Sequence, residues 1–417
     1  MANLSYTVDM PNRWRTRTLE SLLAAPAAPL RLFPVWLLLG PRQVGKSSLL
    51  KRCAGNRRFV DLDDLDVRAR ANQDPELFMR DLQAPLLIDE IQYAPQLLSP
   101  IKRLADRAAR PGAIWLTGSQ NFSVMEGVRE TLAGRIAIIN LFGLSDEEKI
   151  QRSVTPSGYF KNILQSTFPK LAATTAADAR GLYLSSYVQT YVERDVRELL
   201  RVEKRREFEI FLKMCALRTA QVVNYDELAR DAGISPVTAK DWLSLLEDSF
   251  LVKLIAPYHT NRTKRLIKSP KLYFLDMGLC AHLAGWRDGE ALRLGPMGGA
   301  AFETHIFGEI LRGLRHRLKD AEIHFWRTRD GQEIDFLVES EGRCFPIEVK
   351  LGRPNPGALV RLSSVADPTW EPGQVVSLSG STMPQPLAAD WSLVSPQGLT
   401  LRPRSLLVER ARCRRAR

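Results

Sequence analysis

Cysteine is scarce and scattered in this 417-residue chain: Cys53, Cys215, Cys280, Cys344 and Cys413 are odd in number and form no C-x-x-C pair. That excludes a zinc ribbon and a disulfide framework, and it fits a reducing compartment. No basic region followed by an apolar core is read at Met1–Tyr6, and no apolar run approaches bilayer length. A cytoplasmic protein without a membrane partner is therefore expected. Acidic residues are in deficit, with Asp+Glu 47 against Lys+Arg 59, so the formal net charge is +12 and the pI about 9.6. Such an excess favours a polyanionic partner, although a merely basic soluble surface would carry the same charge. Apolar residues are plentiful: 45% of the chain is hydrophobic and 25% charged, a globular balance. The length exceeds one ordinary core and predicts two or three domains.

The chain is organised around Gly40-Pro41-Arg42-Gln43-Val44-Gly45-Lys46-Ser47, which follows the apolar run Val35–Leu39 and opens a helical stretch at Ser47-Ser48. A strand feeding a glycine-rich loop that opens a helix suits a nucleotide polyphosphate. Gly40 and Gly45 let the backbone wrap the phosphates, Lys46 reaches the β/γ-phosphates and the Ser47 hydroxyl ligates Mg²⁺. Downstream, Pro85–Ile88 is an apolar run that ends in Asp89-Glu90. Asp89 is expected to hold Mg²⁺ and Glu90 to polarise the attacking water, with ATP as the nucleotide. In the blander alternative Asp89 simply caps a helix beginning at Ile91-Gln92.

Five strands are predicted to alternate with helices: Val35–Leu39, Arg58–Leu62, Leu86–Ile88, Ala113–Thr117 and Ile136–Ile139. That pattern means an α/β domain with a parallel sheet covered on both faces. Thr117-Gly118-Ser119-Gln120-Asn121 ends the fourth strand, and Ser119, or alternatively Thr117 or Asn121, is expected to sense the γ-phosphate unless the stretch is a plain polar turn. Arg129 and Arg135 follow, and Arg135 is a candidate for contact with the nucleotide, in cis or from a neighbouring copy. An ordinary surface arginine is the competing reading.

Tyr183–Leu200 reads as a helix. Asn224–Ser235 then reads as a helix, a glycine turn at Gly233 and a serine cap before the helix Pro236–Leu246. This is helix-turn-helix spacing, with Leu228, Ala229, Ile234, Val237, Trp242 and Leu246 as its core and Phe250–Ile255 as a wing strand. The module would present Thr238, Lys240 and Asp241 to a DNA groove, or else serve only as a packing unit. The basic linker His259–Lys271 either tracks phosphates or is a solvated loop.

A second constellation closes the chain. Glu303 and Glu309 lie on the amphipathic stretch Ala300–Leu314, and the strands Ile323–Trp326, Glu333–Val338 and Cys344–Lys350 follow. Glu348 and Lys350 share one strand face, and Asp335 interrupts the apolar strand before it. If those strands are adjacent, two carboxylates and a lysine converge on Mg²⁺ or Mn²⁺, with Glu303, then Glu309, completing the shell. A cross-strand salt bridge on a solvated face is the alternative.

Taken together these residues resemble a family of bacterial and archaeal AAA-family ATPases fused to a PD-(D/E)XK nuclease-like domain. The landmarks are Gly40–Lys46, Leu87–Gln92, Leu116–Ser119, Tyr191–Asp195, Lys268–Phe274, Glu333–Phe336 and Ile347–Lys350. Ser47 stands where the family often has Thr. The resemblance implies an ATPase core, a winged-helix middle and a C-terminal α/β restriction-endonuclease-like domain, with Asp335, Glu348 and Lys350 matching the nuclease motif. The expected boundaries are a helical lead-in over 1–34, the ATPase core over 35–145, a helical segment over 146–205 and the winged-helix region with its basic linker over 206–272. The nuclease-like domain spans 273–390 and a basic tail 391–417. The leading expectation is an ATP-dependent protein acting on DNA. A non-cleaving nucleotide-gated switch and a regulator acting on a protein partner are the alternatives, and assembly into a homo-oligomer stays open.

Overall fold

The computed structural model describes residues 14–399 apart from 27, 109, 120–127, 129–130, 150–154, 173, 175, 193–204, 260–268, 329 and 389. Gln120, Asn121, Arg129, most of the basic linker, Glu193–Asp195 and the basic tail beyond 399 lie outside the described residues.

The N-terminal sheet is parallel, built from β1 (Val35–Leu39), β2 (Arg58–Asp61), β3 (Leu86–Asp89), β4 (Ile114–Gly118) and β5 (Ile136–Asn140), in the order β2-β3-β4-β1-β5. Every residue of β1, β3 and β4 is buried, as expected of central strands covered on both faces. β4 separates β1 from β3, so the glycine-rich loop after β1 and the acids after β3 open at the same sheet edge with one strand between them. Trp36 and Trp115 stack across the β1–β4 pair with ring centroids 5.4 Å apart.

A helical segment follows, with helices Pro156–Leu164, Pro169–Ala172 and Ala177–Tyr187. The helix expected from Tyr183 starts six residues earlier, at Ala177, and passes into one π-helical turn at Val188–Val192.

The middle unit runs helix Arg205–Leu217, β6 (Gln221–Val222), helix Tyr225–Ala232, helix Pro236–Asp248, β7 (Val252–Ile255) and β8 (Lys271–Phe274), and its antiparallel sheet is ordered β6-β8-β7. The turn is built as the sequence implies. The Asn224 side chain accepts from the N–H groups of Asp226 and Glu227, Gly233 adopts φ 69° at the helix end, and Ser235 caps Thr238. Trp242 packs edge-on against Phe208 and Phe211 at 5.3 and 5.4 Å. Val237 does not join this core: it is 70% exposed at the first turn of its helix. β8 pairs with β6 and β7, so this unit extends through Phe274 and the expected boundary at 272/273 cuts one of its strands.

The C-terminal unit opens with helix Gly298–Arg315 and continues through β9 (Glu322–Arg327), β10 (Glu333–Ser340), β11 (Arg343–Lys350), helix Pro356–Val365, β12 (Gly373–Ser377), β13 (Gln385–Ala388) and β14 (Trp391–Val394). The sheet order is β13-β14-β12-β11-β10-β9; β9, β10 and β11 are antiparallel neighbours, and β12 adds to β11 in parallel across the intervening helix. β14 is a paired strand, so the sheet runs past the expected end at 390 and the tail cannot begin at 391. Among the described residues, no helix is long and apolar enough to cross a membrane, and Cys53, Cys215, Cys280 and Cys344 are in no disulfide.

Candidate functional sites

The phosphate loop bridges β1 and helix Lys46–Cys53. Gly40 leaves the strand at φ 154°, where a Cβ would lie 1.9 Å from the Leu141 carbonyl oxygen, and Gly45 opens the helix at φ 92°. Pro41 and Val44 are buried, Arg42 donates to the Tyr93 hydroxyl at 3.1 Å, and the exposed Gln43 at φ 63° receives the Tyr183 hydroxyl. The Lys46 ammonium caps the Gly40 and Pro41 carbonyls at 3.0 and 2.9 Å. Burial lowers its pKa to about 8, against the pull of Glu90 and Asp89. Ser48 faces solvent.

Asp89, at the end of β3, accepts from the Ser47 hydroxyl at 2.8 Å and from the Thr117 hydroxyl. Its side chain does not cap the following 3-10 turn, whose N-cap residue is Glu90, so the capping alternative does not hold. Burial raises the Asp89 pKa. One carboxylate and one hydroxyl, with water and phosphate oxygens, are what Mg²⁺ takes, and the pair fits that ion.

Glu90 sits at φ 55° and its N–H donates to the Thr117 hydroxyl at 2.8 Å. Gln92 was not expected in this site. Its amide NH₂ donates to the Glu90 carboxylate and, at 3.0 Å, to the Ser119 hydroxyl, linking Glu90 to the β4 polar turn. Its sequence signals were its position two residues past Glu90 and its place at the end of the Leu87–Gln92 landmark, neither of which assigned it a contact. Ser119 is fully buried on this chain of contacts, while Thr117 serves Asp89.

Arg135 is elsewhere. It precedes β5, its carbonyl accepts from the Val35 N–H at the start of β1, and its guanidinium pairs with Asp106 at 2.6 Å. The phosphate loop leaves the opposite end of β1, about 16 Å away at strand rise. Contact with the nucleotide of its own chain is excluded by this placement, because both strands run away from the arginine toward the loop.

The second constellation does assemble. On β10 and β11 the Val349 N–H donates to Asp335 at 2.8 Å and the Asp335 N–H to Glu348 at 3.3 Å; the Lys350 ammonium lies 2.5 Å from Glu348 and 3.8 Å from Asp335. Glu303 reaches the cluster from helix Gly298–Arg315, receiving the Tyr273 hydroxyl at 2.6 Å. Burial and then the Asp335 charge push Glu348 up to about 8 and Glu303 up to about 7; burial also raises Asp335. Burial acts to lower the Lys350 pKa, and the charges of Asp335 and Glu348 outweigh it and raise it. Buried carboxylates set side by side are a donor set whose charge a divalent cation would offset, and Asp335 and Glu348, both beside Lys350, fit one. Glu309 does not contribute: it lies against Arg312 at 2.7 Å and accepts the Asp146 N–H at 3.0 Å. Lys271 and Tyr273, both on β8, were missed here: the expected boundary at 272/273 put Lys271 in the winged-helix region and gave Tyr273, in the nuclease-like domain, no part in the site.

Residues 33–150 match the AAA domain family, residues 157–290 the Domain of unknown function (DUF8612) and residues 298–394 the Domain of unknown function (DUF4143). Over 319 residues the chain is 31% identical to Uncharacterized protein Rv2008c of Mycobacterium tuberculosis, covering 76% of this chain and 70% of that protein. The chain belongs to the family of Rv2008c. The same identity and coverage relate it to Uncharacterized protein Mb2031c of Mycobacterium bovis. Among solved structures it is similar to the Walker-type ATPase PABY2304 of Pyrococcus abyssi, at 17% identity over 64% of this chain and 93% of that one, with a TM-score of 0.41. Protein VC1899 of Vibrio cholerae is similar at 11% identity over 87% of this chain and 94% of that one, with a TM-score of 0.19. The AAA match coincides with the phosphate loop and the acidic strand end, and this part of the protein is a P-loop ATPase that binds ATP.

Proposed function

We propose that the ATPase controls a Mg²⁺-dependent nuclease acting on DNA, with Asp335, Glu348 and Glu303 holding the metal, Mn²⁺ being an alternative ion, and Lys350 stabilising phosphate charge. The observation that carries this reading is the meeting of Asp335, Glu348 and Lys350 on two adjacent strands with Glu303 arriving from a separate helix. Carboxylates desolvated around a lysine are poorly explained as a surface salt bridge, because two of them are pushed to about 7 and about 8. The helix and the three strands that carry these residues follow the order read from the sequence. DNA as substrate is supported by the net charge of +12 and by the middle unit. Its helix–strand–helix–helix–strand–strand order is that of a winged helix, with Val237 exposed at the start of the helix that would enter a groove.

Cleavage of labelled single- and double-stranded DNA with Mg²⁺ or Mn²⁺, with and without ATP, tests the reading beside Asp335→Ala. Metal-dependent cleavage that Asp335→Ala abolishes while ATP hydrolysis survives is the expected result. ATP hydrolysis with no cleavage under any condition overturns the nuclease. Salt-sensitive DNA binding would then mark a nucleotide-gated binding module, and no DNA affinity at low salt would leave a protein partner as the target.

A further inference from the structure

Lys271 closes a basic linker in the sequence and was expected either to track phosphates or to face solvent. It does neither. The residue is 4% exposed; its ammonium lies 3.3 Å from Glu303, contacts Glu333 and stands 5.5 Å from the centre of the Phe325 ring. Glu303 and Asp335 act on each other electrostatically, and Lys271 acts on both. Four carboxylates, Glu303, Glu333, Asp335 and Glu348, therefore share one region with two ammonium groups. Lys350 serves the Asp335–Glu348 side, and Lys271 serves the Glu303–Glu333 side.

We propose that Lys271 is the built-in second cation of this acidic site, so that the site takes one divalent ion, between Asp335 and Glu348, where a bare cluster would take two. The inference rests on the metal-binding reading above. Two-metal phosphodiesterase sites place their ions about 3.5–4 Å apart with a shared carboxylate between them. Here Asp335 would be the shared group, and Glu303 with Glu333 would supply the second ion. The ammonium already neutralises that half. It is not free to leave: a buried lysine without its acids would carry a heavy desolvation cost. Its backbone is also tied elsewhere, because β8 pairs through Lys271 with Ile255 of β7 and Val222 of β6. Tyr273, two residues on along the same strand, holds Glu303 from the same side. The middle unit thus supplies a fixed charge to the C-terminal site, and the number of divalent ions bound is set by a strand outside that domain's own sheet.

Calorimetric titration of the nucleotide-free full chain with Mn²⁺ tests this, comparing wild type, Asp335→Asn, Lys271→Met and Lys271→Gln, with ATP hydrolysis confirming that each variant is folded. Asp335→Asn identifies which equivalents belong to the C-terminal site. We expect one Asp335-dependent equivalent in wild type and two in both Lys271 variants. One equivalent in both variants, at whatever affinity, overturns the role of Lys271 and leaves the metal site standing. No Asp335-dependent equivalent in wild type removes the metal site itself, and this inference with it.

Discussion

Arg17 and Glu148 stand 131 residues apart in the chain and meet at 3.1 Å in the interior, their side chains each 3% exposed. The same guanidinium donates to the Val44 carbonyl of the phosphate loop at 2.9 Å and to the Phe142 carbonyl at 2.6 Å. Glu148 accepts the Thr18 N–H at 2.7 Å and lies 3.5 Å from His316, just past the end of helix Gly298–Arg315. One ion pair therefore ties the lead-in, the phosphate loop and the C-terminal unit together.

Removing either partner strands a buried charge, which costs about 3–5 kcal/mol. Arg17→Met and Glu148→Gln should each lower the denaturation midpoint accordingly, and Arg17→Met should also weaken ATP binding because Val44 loses its donor. The double variant leaves no stranded charge and should be less destabilised than the sum of the two. Strict additivity in the double-mutant cycle would show that the pair has no energetic coupling.

Lys46 predicts a pH dependence. Its pKa falls from the ordinary 10.5 to about 8 because the ammonium is buried. Between those values the unfolded chain holds a proton that the folded one has lost, so this group makes the protein more stable as pH rises through that window and carries its full penalty below it. A polyphosphate beside the amine favours the charged form. ATP binding should therefore take up a proton near pH 8.5 and weaken from pH 7 to 9, about an order of magnitude at most. Titrations in two buffers of different ionisation enthalpy measure the uptake. Lys46→Met should abolish it along with most of the affinity, and identical apparent enthalpies in both buffers would rule it out.

Gln92 predicts a separation of rate from binding. Because its amide holds both Glu90 and Ser119, Gln92→Ala should leave ATP affinity near wild type while lowering kcat by about tenfold, since an acid that is present but misaimed still acts. Glu90→Gln should cost far more, on the order of 10²-fold or beyond. Steady-state hydrolysis together with equilibrium ATP binding distinguishes the two. A rise in KM with kcat unchanged would place Gln92 in substrate binding instead.

Local signals in the sequence carried the phosphate loop, all five core strands to within a residue or so, and the Asn224–Ser235 turn, because glycine spacing, apolar runs and caps act over a few residues. The pairing of Asp335 with Glu348 and Lys350 was also legible, since antiparallel neighbours in a short meander leave little choice of register. Lys271, Arg17 and Gln92 were not. Lys271 crosses from one unit to another, Arg17 reaches Glu148 across the whole ATPase core, and Gln92 differs from a surface glutamine only in where its amide lands. Val237 was misplaced for a related reason: at the first turn of a helix, apolar periodicity does not tell the packed face from the presented one.

Gly40 and Arg135 flank the same strand region at opposite ends and should respond in opposite ways. Gly40→Ala drives a Cβ to within 1.9 Å of the Leu141 carbonyl oxygen, so either the loop or the chain after β5 must shift, and ATP binding should weaken by at least about tenfold. Arg135 pairs with Asp106 at the far edge. Arg135→Ala removes an exposed ion pair of the kind that contributes little to stability, and ATP hydrolysis should stay within about twofold of wild type. Measured at several protein concentrations, an unchanged rate confirms that the arginine is remote from the nucleotide. A large drop in kcat that appears only at high concentration would mean that Arg135 reaches the phosphates of a neighbouring copy, and the sheet edge carrying it would then be part of an ATPase interface.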